Sequence, residues 1–206
     1  LHRFPVLHRY LRRAYISAAA DQPVVREPEI TVGETLPIEP VRSVLQGGER
    51  PRLNLLVPAL SIRHVFGGIS TALQVFDALL GDDSEARIIL TDETRFTGDD
   101  NAAFQDWTIC ALDDADRPGR IIIPAGDRFG RKLPIRSNDR FMATAWWTAR
   151  LARELAGWQA GEYGLGRPRP FVYLIQDYEP GFYPWSARYA LAEATYHDPD
   201  RFLPVF

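Results

Sequence analysis

A single cysteine, Cys110, stands in 206 residues, so the chain closes no disulfide of its own and a reducing compartment is expected. No apolar run reaches the ~20 residues that a membrane-spanning helix requires. The formal net charge is -3, without the basic surplus of a general nucleic-acid binder. The chain opens on Leu1 with no n-region, apolar h-region and cleavage pattern, so no secretory signal is expected, and both ends look cut from something longer. Several chemical signatures are also missing. There is no Walker sequence and no Gly-x-Ser-x-Gly, and the Gly-x-Gly-x-x-Gly of dinucleotide enzymes is reduced to the doublet Gly67-Gly68. His2, His8, His64 and His197 have no ligand spacing, so no metal site is expected.

What is present reads as one core with an appended segment. Residues 1–20 carry Arg3, Arg9, Arg12 and Arg13 and no acid. Leu7, Tyr10, Leu11 and Ala14 fall at helical spacing, which predicts a short amphipathic helix. Such a helix either packs on its own protein or lies against anionic lipid. Residues 21–50, with Pro23, Pro28, Pro37 and Pro40, read as an extended connector. Residues 51–206 then form the folded domain.

Within that domain strands and helices alternate. Leu53–Val57, Ala86–Leu90, Trp107–Leu112, Ile121–Ile123, Phe141–Thr144 and Phe171–Ile175 are strand-type runs. Ile69, Leu73, Phe76 and Leu80 mark one helix, and Trp147, Leu151, Leu155 and Trp158 mark another, with Gly157 and 161–170 as breakers. A further helix is expected around Asn101–Trp107, and Ser186 is placed to cap one over Ala187, Ala190, Leu191 and Ala194. Alternation at this spacing predicts an α/β fold with a Rossmann-like, doubly wound parallel sheet.

Ligands of open parallel sheets sit beyond the carboxyl ends of the strands. That rule selects 58–70, 91–94 and 176–186. Gly67-Gly68 opens a helix, where bare backbone and free N–H groups suit a phosphate or a sugar hydroxyl; a tight strand-to-helix turn explains the pair equally well. His64 precedes it as an acceptor contact or a surface residue. Asp92 and Glu93 end the next strand, in the place of a ribose-binding acid. The segment QDYEPGFYPWS joins Gln176, Asp177, Tyr178, Glu179, Phe182, Tyr183 and Trp185 on a loop stiffened by prolines. Flat aromatic faces with carboxylates that accept hydroxyl hydrogens are the materials of a carbohydrate site. The alternative is a packed domain interface with acids capping turns. Asp114-Ala115-Asp116 matches an Asp-x-Asp metal–nucleotide string, but it sits in a charged turn rather than between a strand and a donor pocket.

Two stretches, HVFGGISTALQVFDALL and YLIQDYEPGFYPWSARYALAEATY, resemble the N-terminal domain of WsaF-type rhamnosyltransferases, with FMATAWWTA between them. These are retaining GT-B enzymes, in which two Rossmann-like domains face each other across a cleft. The resemblance implies that residues 51–206 are the acceptor-side domain. It places Gly67 and Gly68 beside the donor diphosphate or sugar, and Gln176, Asp177, Tyr178 and Glu179 near the glycan acceptor. It implies transfer of rhamnose from dTDP-β-L-rhamnose, as substrate and without cofactor or metal, to a bacterial cell-surface polysaccharide. The cell compartment implied is the cytoplasm, with residues 1–20 as a peripheral contact to the inner face of the membrane. Enzymes of this type often lack an evident protein nucleophile, so Asp177 and Glu179 are catalytic candidates without an assigned role. With the donor domain not in this sequence, the chain alone is expected to be inactive. The rival readings are a non-catalytic glycan-binding or assembly module, and a dinucleotide-dependent oxidoreductase.

Overall fold

The computed structural model describes residues 38–60, 67–81, 84–97 and 104–206. The amphipathic helix expected in residues 1–20, most of the connector, and His64 lie outside them. Nine strands and three helices are defined among the described residues: β1 Arg42–Leu45, β2 Arg52–Val57, α1 Gly67–Leu79, β3 Glu85–Leu90, β4 Thr108–Ile109, β5 Arg120–Pro124, β6 Lys132–Ile135, β7 Asp139–Ala143, α2 Trp146–Glu162, β8 Phe171–Leu174, α3 Ala187–Ala194 and β9 Phe202–Val205. Seven strands form one parallel sheet in the order β4-β5-β3-β2-β7-β8-β9. The architecture is α/β and Rossmann-like.

The central strands RLNLLV and EARIIL are buried at every position, because both faces of the sheet are covered. Leu53, Leu55, Val57, Ile88, Leu90, Ile122 and Met142 pack on one side with Ala72 and Phe76 of α1. Leu56, Ile89, Ile121, Ile123, Phe141 and Ala143 pack on the other with Ala149, Ala152, Leu155 and Ala156 of α2. The second face is completed by an unexpected layer. Within the segment read as a connector, β1 pairs in parallel with β6, and Val41, Leu133 and Ile135 join that core.

The strand order fixes where a ligand can enter. From β2 the chain moves outward through α1 to β3, and it later returns to the opposite side of β2 as β7. The gap beyond the carboxyl ends of β2 and β7 is therefore the switch point of the sheet, where α1 and α2 leave on opposite faces.

Three local expectations are corrected. The run 107–112 is a strand only at Thr108–Ile109, with Leu112–Asp114 in a 3-10 turn, since the register with β5 covers only those two residues and ends with the Cys110 N–H on the Ile122 carbonyl. Gly157 does not break α2, which continues to Glu162; its absent side chain faces Arg201, 3.8 Å from where a Cβ would lie, and packing outweighs the ~1 kcal/mol propensity cost. The strands β6 and β9 were not expected at all. The helix expected at 101–107 falls half outside the described residues.

Candidate functional site

Three strand ends build the switch-point cleft. After β2 comes Pro58, and α1 opens with Gly67-Gly68. After β7 come Thr144 and Ala145, and α2 opens with Trp146. After β8 come Ile175, Gln176 and Asp177, followed by a 3-10 turn over Glu179–Phe182 with Pro180 buried at its start. Two adjoining cavities lie there. One of about 260 Å³ is lined by Pro58, Gly68, Ile69, Thr144, Ala145, Trp147, Gln176 and Glu179. The other, of about 160 Å³, is lined by Thr144, Tyr173, Ile175, Gln176, Asp177, Glu179, Phe182 and Tyr196. Thr144, Gln176 and Glu179 border both, and so form the partition.

Gln176 explains one of the glycines. Its Nε2 donates to the Gly68 carbonyl at 2.8 Å, and a Cβ on residue 68 would lie 1.9 Å from its Oε1. A side chain at residue 68 would push the Gln176 amide out of this bond. The doublet and the loop read separately from sequence are one unit in the fold.

Glu179 is the best-held polar group of the cleft. Its Oε2 accepts from the backbone N–H of Trp146 at 2.5 Å, and the Tyr173 hydroxyl stands 3.5 Å away. A carboxylate from a distant loop therefore occupies the first turn of α2, where free N–H groups and the helix dipole favour negative charge. Burial is the larger influence and pushes the carboxyl up to about 7, with the Trp146 N–H and Tyr173 hydroxyl opposing and Asp177 adding to the rise. Behind it Tyr173 and Tyr196 pack at 5.7 Å with hydroxyls 3.4 Å apart, and Tyr196 donates to the Asp177 carbonyl at 3.3 Å. Burial raises the Tyr196 phenol to about 12, so it remains a proton donor.

α2 is set by its own first turn. Thr148 Oγ1 accepts from the N–H groups of Thr144 and Ala145 at 3.0 and 2.9 Å and donates to the Ala145 carbonyl at 2.8 Å. Trp146 is buried against Trp147, 5.7 Å away and edge-on, and Trp147 Nε1 donates to Asp92 Oδ1 at 3.1 Å. Asp92, from the second strand-end segment, thereby reaches the rim of the larger cavity through Trp147.

The sequence-selected residues divide accordingly. Gly68, Gln176, Asp177 and Glu179 come together at the cleft. Tyr178 packs on Tyr196 at 5.5 Å. Tyr183 accepts from Trp146 Nε1 at 3.1 Å and lies under Arg188. Trp185 is 81% exposed and lies tilted against Tyr189 at 5.1 Å. None of these three lines either cavity. Asp116 of the Asp-x-Asp string ion-pairs with Arg136 and Arg52 at the opposite end of the sheet. Among the described residues no group of three metal-ligating side chains converges, and no helix is long and apolar enough to cross a membrane. Thr144 and Trp147 were not selected from sequence, and the signal that finds them is the switch point, which needs the strand order.

Comparison with known proteins gives one family: the model described as WsaF, N-terminal domain, matches residues 52–206. A comparison with curated proteins returns no match.

Proposed function

The chain belongs to the family of the WsaF N-terminal domain, and is a glycosyltransferase-related domain; from that premise we propose that it forms the acceptor-side wall of a sugar-transfer cleft. The sugar moved is rhamnose, from dTDP-β-L-rhamnose with retention, and the acceptor is a growing bacterial cell-surface polysaccharide assembled at the inner face of the membrane. A second Rossmann-like domain holds most of the nucleotide. The observation that carries this reading is the partition of Thr144, Gln176 and Glu179 at the switch point, joined by Asp177: uncharged donors and acidic acceptors, suited to sugar hydroxyls. The sizes support a half-site. Neither cavity alone reaches the roughly 300–1,000 Å³ of a complete small-molecule pocket, which is in keeping with a wall supplied from elsewhere.

Transition-state contacts divided between two domains leave either one inert. The 206-residue chain is expected to release no dTDP from dTDP-β-L-rhamnose in the presence of a rhamnosylated acceptor, while the protein carrying the second domain does. Turnover by the chain alone overturns the two-domain reading.

A further inference from the structure

The two helix N-termini that converge on the switch point are not equivalent. α1 opens on Gly67-Gly68 with no acidic side chain in its first turn. α2 opens at Trp146, and that backbone N–H is already bound at 2.5 Å by the carboxylate of Glu179. The place where α2 would receive an anion is thus filled from within the chain. Glu179 is fixed there by a short turn whose Pro180 is buried. Its Oε2 serves Trp146 and faces the Tyr173 hydroxyl. The bonds that hold the carboxylate fall on Oε2, and Glu179 borders both cavities.

We propose that Glu179 sorts the chemical groups of a ligand in this cleft, so that the α2 side takes a hydroxyl and turns away an anion. The inference rests on the acceptor-side reading and deepens it, since it orients the ligand. Oε1 offers a charged acceptor to an O–H group, and such bonds are stronger than neutral ones. The groups facing Glu179 add no positive charge to the α2 side. They are the Thr144 side chain, the Trp146 N–H, the hydroxyls of Tyr173 and Tyr196, and the Asp177 carboxylate, and no cationic side chain pairs with Glu179 among the described residues. A second anion there would meet two carboxylates in a partly desolvated site, where repulsion is less screened than in water.

The test uses the 206-residue chain with two probes, inorganic phosphate and methyl α-L-rhamnopyranoside, at pH 8 and constant ionic strength. Backbone ¹⁵N spectra report which amides respond. In the wild type the glycoside is expected to shift the amides of Thr144, Trp146 and Gln176, and Glu179→Gln to weaken it about tenfold, the loss expected when a hydrogen bond to a charged acceptor becomes a neutral one. Phosphate is expected to leave Trp146 unmoved in the wild type and to shift it saturably in Glu179→Ala. The Gln variant keeps a carbonyl for the Trp146 N–H, so the glycoside arm stands if the Ala variant does not fold. A wild-type Trp146 amide that responds to phosphate as strongly as that of Glu179→Ala overturns the sorting role. So does unchanged glycoside affinity in Glu179→Gln, and both results leave the acceptor reading standing. A glycoside that shifts no cleft amide in the wild type removes the acceptor reading and this inference together.

Discussion

At the scale of single residues, the cleft depends on a carboxyl whose two protonation states are close in energy. Glu179 is buried enough to titrate near 7, yet it keeps an N–H partner that prefers it ionised. Its pKa is raised on folding, so the folded chain holds this proton more tightly than the unfolded one does. The favourable contribution is complete below about 4.5 and is lost as the pH rises from there to about 7. Above that the ionised group weakens the fold by a constant amount, on the order of 2 kcal/mol after allowance for partial exposure. Glu179→Gln removes this slope. Urea midpoints at pH 4.5, 5.5, 7 and 8 are expected to show the variant gaining on the wild type through that window and levelling off above it. Parallel profiles for the two proteins would show that Glu179 does not titrate there. The same residue thus trades stability at neutral pH for a charged acceptor in the cleft, as polar groups at functional sites commonly do.

At the scale of elements, the cleft is only as well placed as the start of α2. Thr148 is buried and holds the N–H groups of Thr144 and Ala145, which precede the helix and have no partner in it. Thr148→Val is nearly isosteric and leaves both donors without an acceptor. It is expected to cost about 1–3 kcal/mol, or roughly 2–4 °C in Tm for each kcal/mol in a chain of this size. The amides of Thr144 and Trp146 should shift with it, whereas Thr148→Ser should behave as wild type in both respects. A Val variant with unchanged melting and unchanged amides would remove Thr148 from this role. The element scale is also where the sequence was most legible. Hydrophobic runs such as Leu53–Val57 and Phe171–Leu174, and the cap at Ser186, whose side chain accepts from the Tyr189 N–H, are written locally. β6 and β9 were not, because Pro134 and Pro204 remove donors from short edge-type strands, and their pairing comes from contacts distant in sequence. For the site, the strand-end rule was enough to find Gly68, Gln176, Asp177 and Glu179. Thr144 and Trp147 depend on β7 lying beside β2, an order that local periodicity does not encode.

At the scale of the whole molecule, the sheet is open at one end and locked at the other. On the face beneath the β1–β6 layer, the amino ends of β2, β3 and β7 bring Arg52, Arg87, Arg136, Glu85, Asp116 and Asp139 together. Arg52 grips Asp139 through two bonds of 2.8 Å, and Arg136 joins Glu85 at 2.9 Å and Asp116 at 2.7 Å. Arg87 and Arg52 also donate to the Pro134 carbonyl, which ties β6 to the sheet. Burial, then the neighbouring Arg52, lowers Arg87 to about 9, so its guanidinium stays charged at neutral pH. Asp139 is the hub, with its side chain fully buried and contacts to Arg52, to Arg87 at 3.5 Å, and to the Arg136 N–H at 2.9 Å. Neutralising it leaves buried positive charge uncompensated, a loss of about 3–5 kcal/mol. A domain of this kind holds roughly 5–15 kcal/mol in all. The Arg153–Asp198 pair is only slightly longer, at 3.1 Å, but Asp198 is 61% exposed, and such pairs contribute about 0–1 kcal/mol. Burial rather than distance should therefore set the ranking: in urea unfolding Asp139→Asn falls several kcal/mol below Asp198→Asn. Midpoints within 1 kcal/mol of each other would mean that water reaches the network and that the amino end of the sheet is no lock.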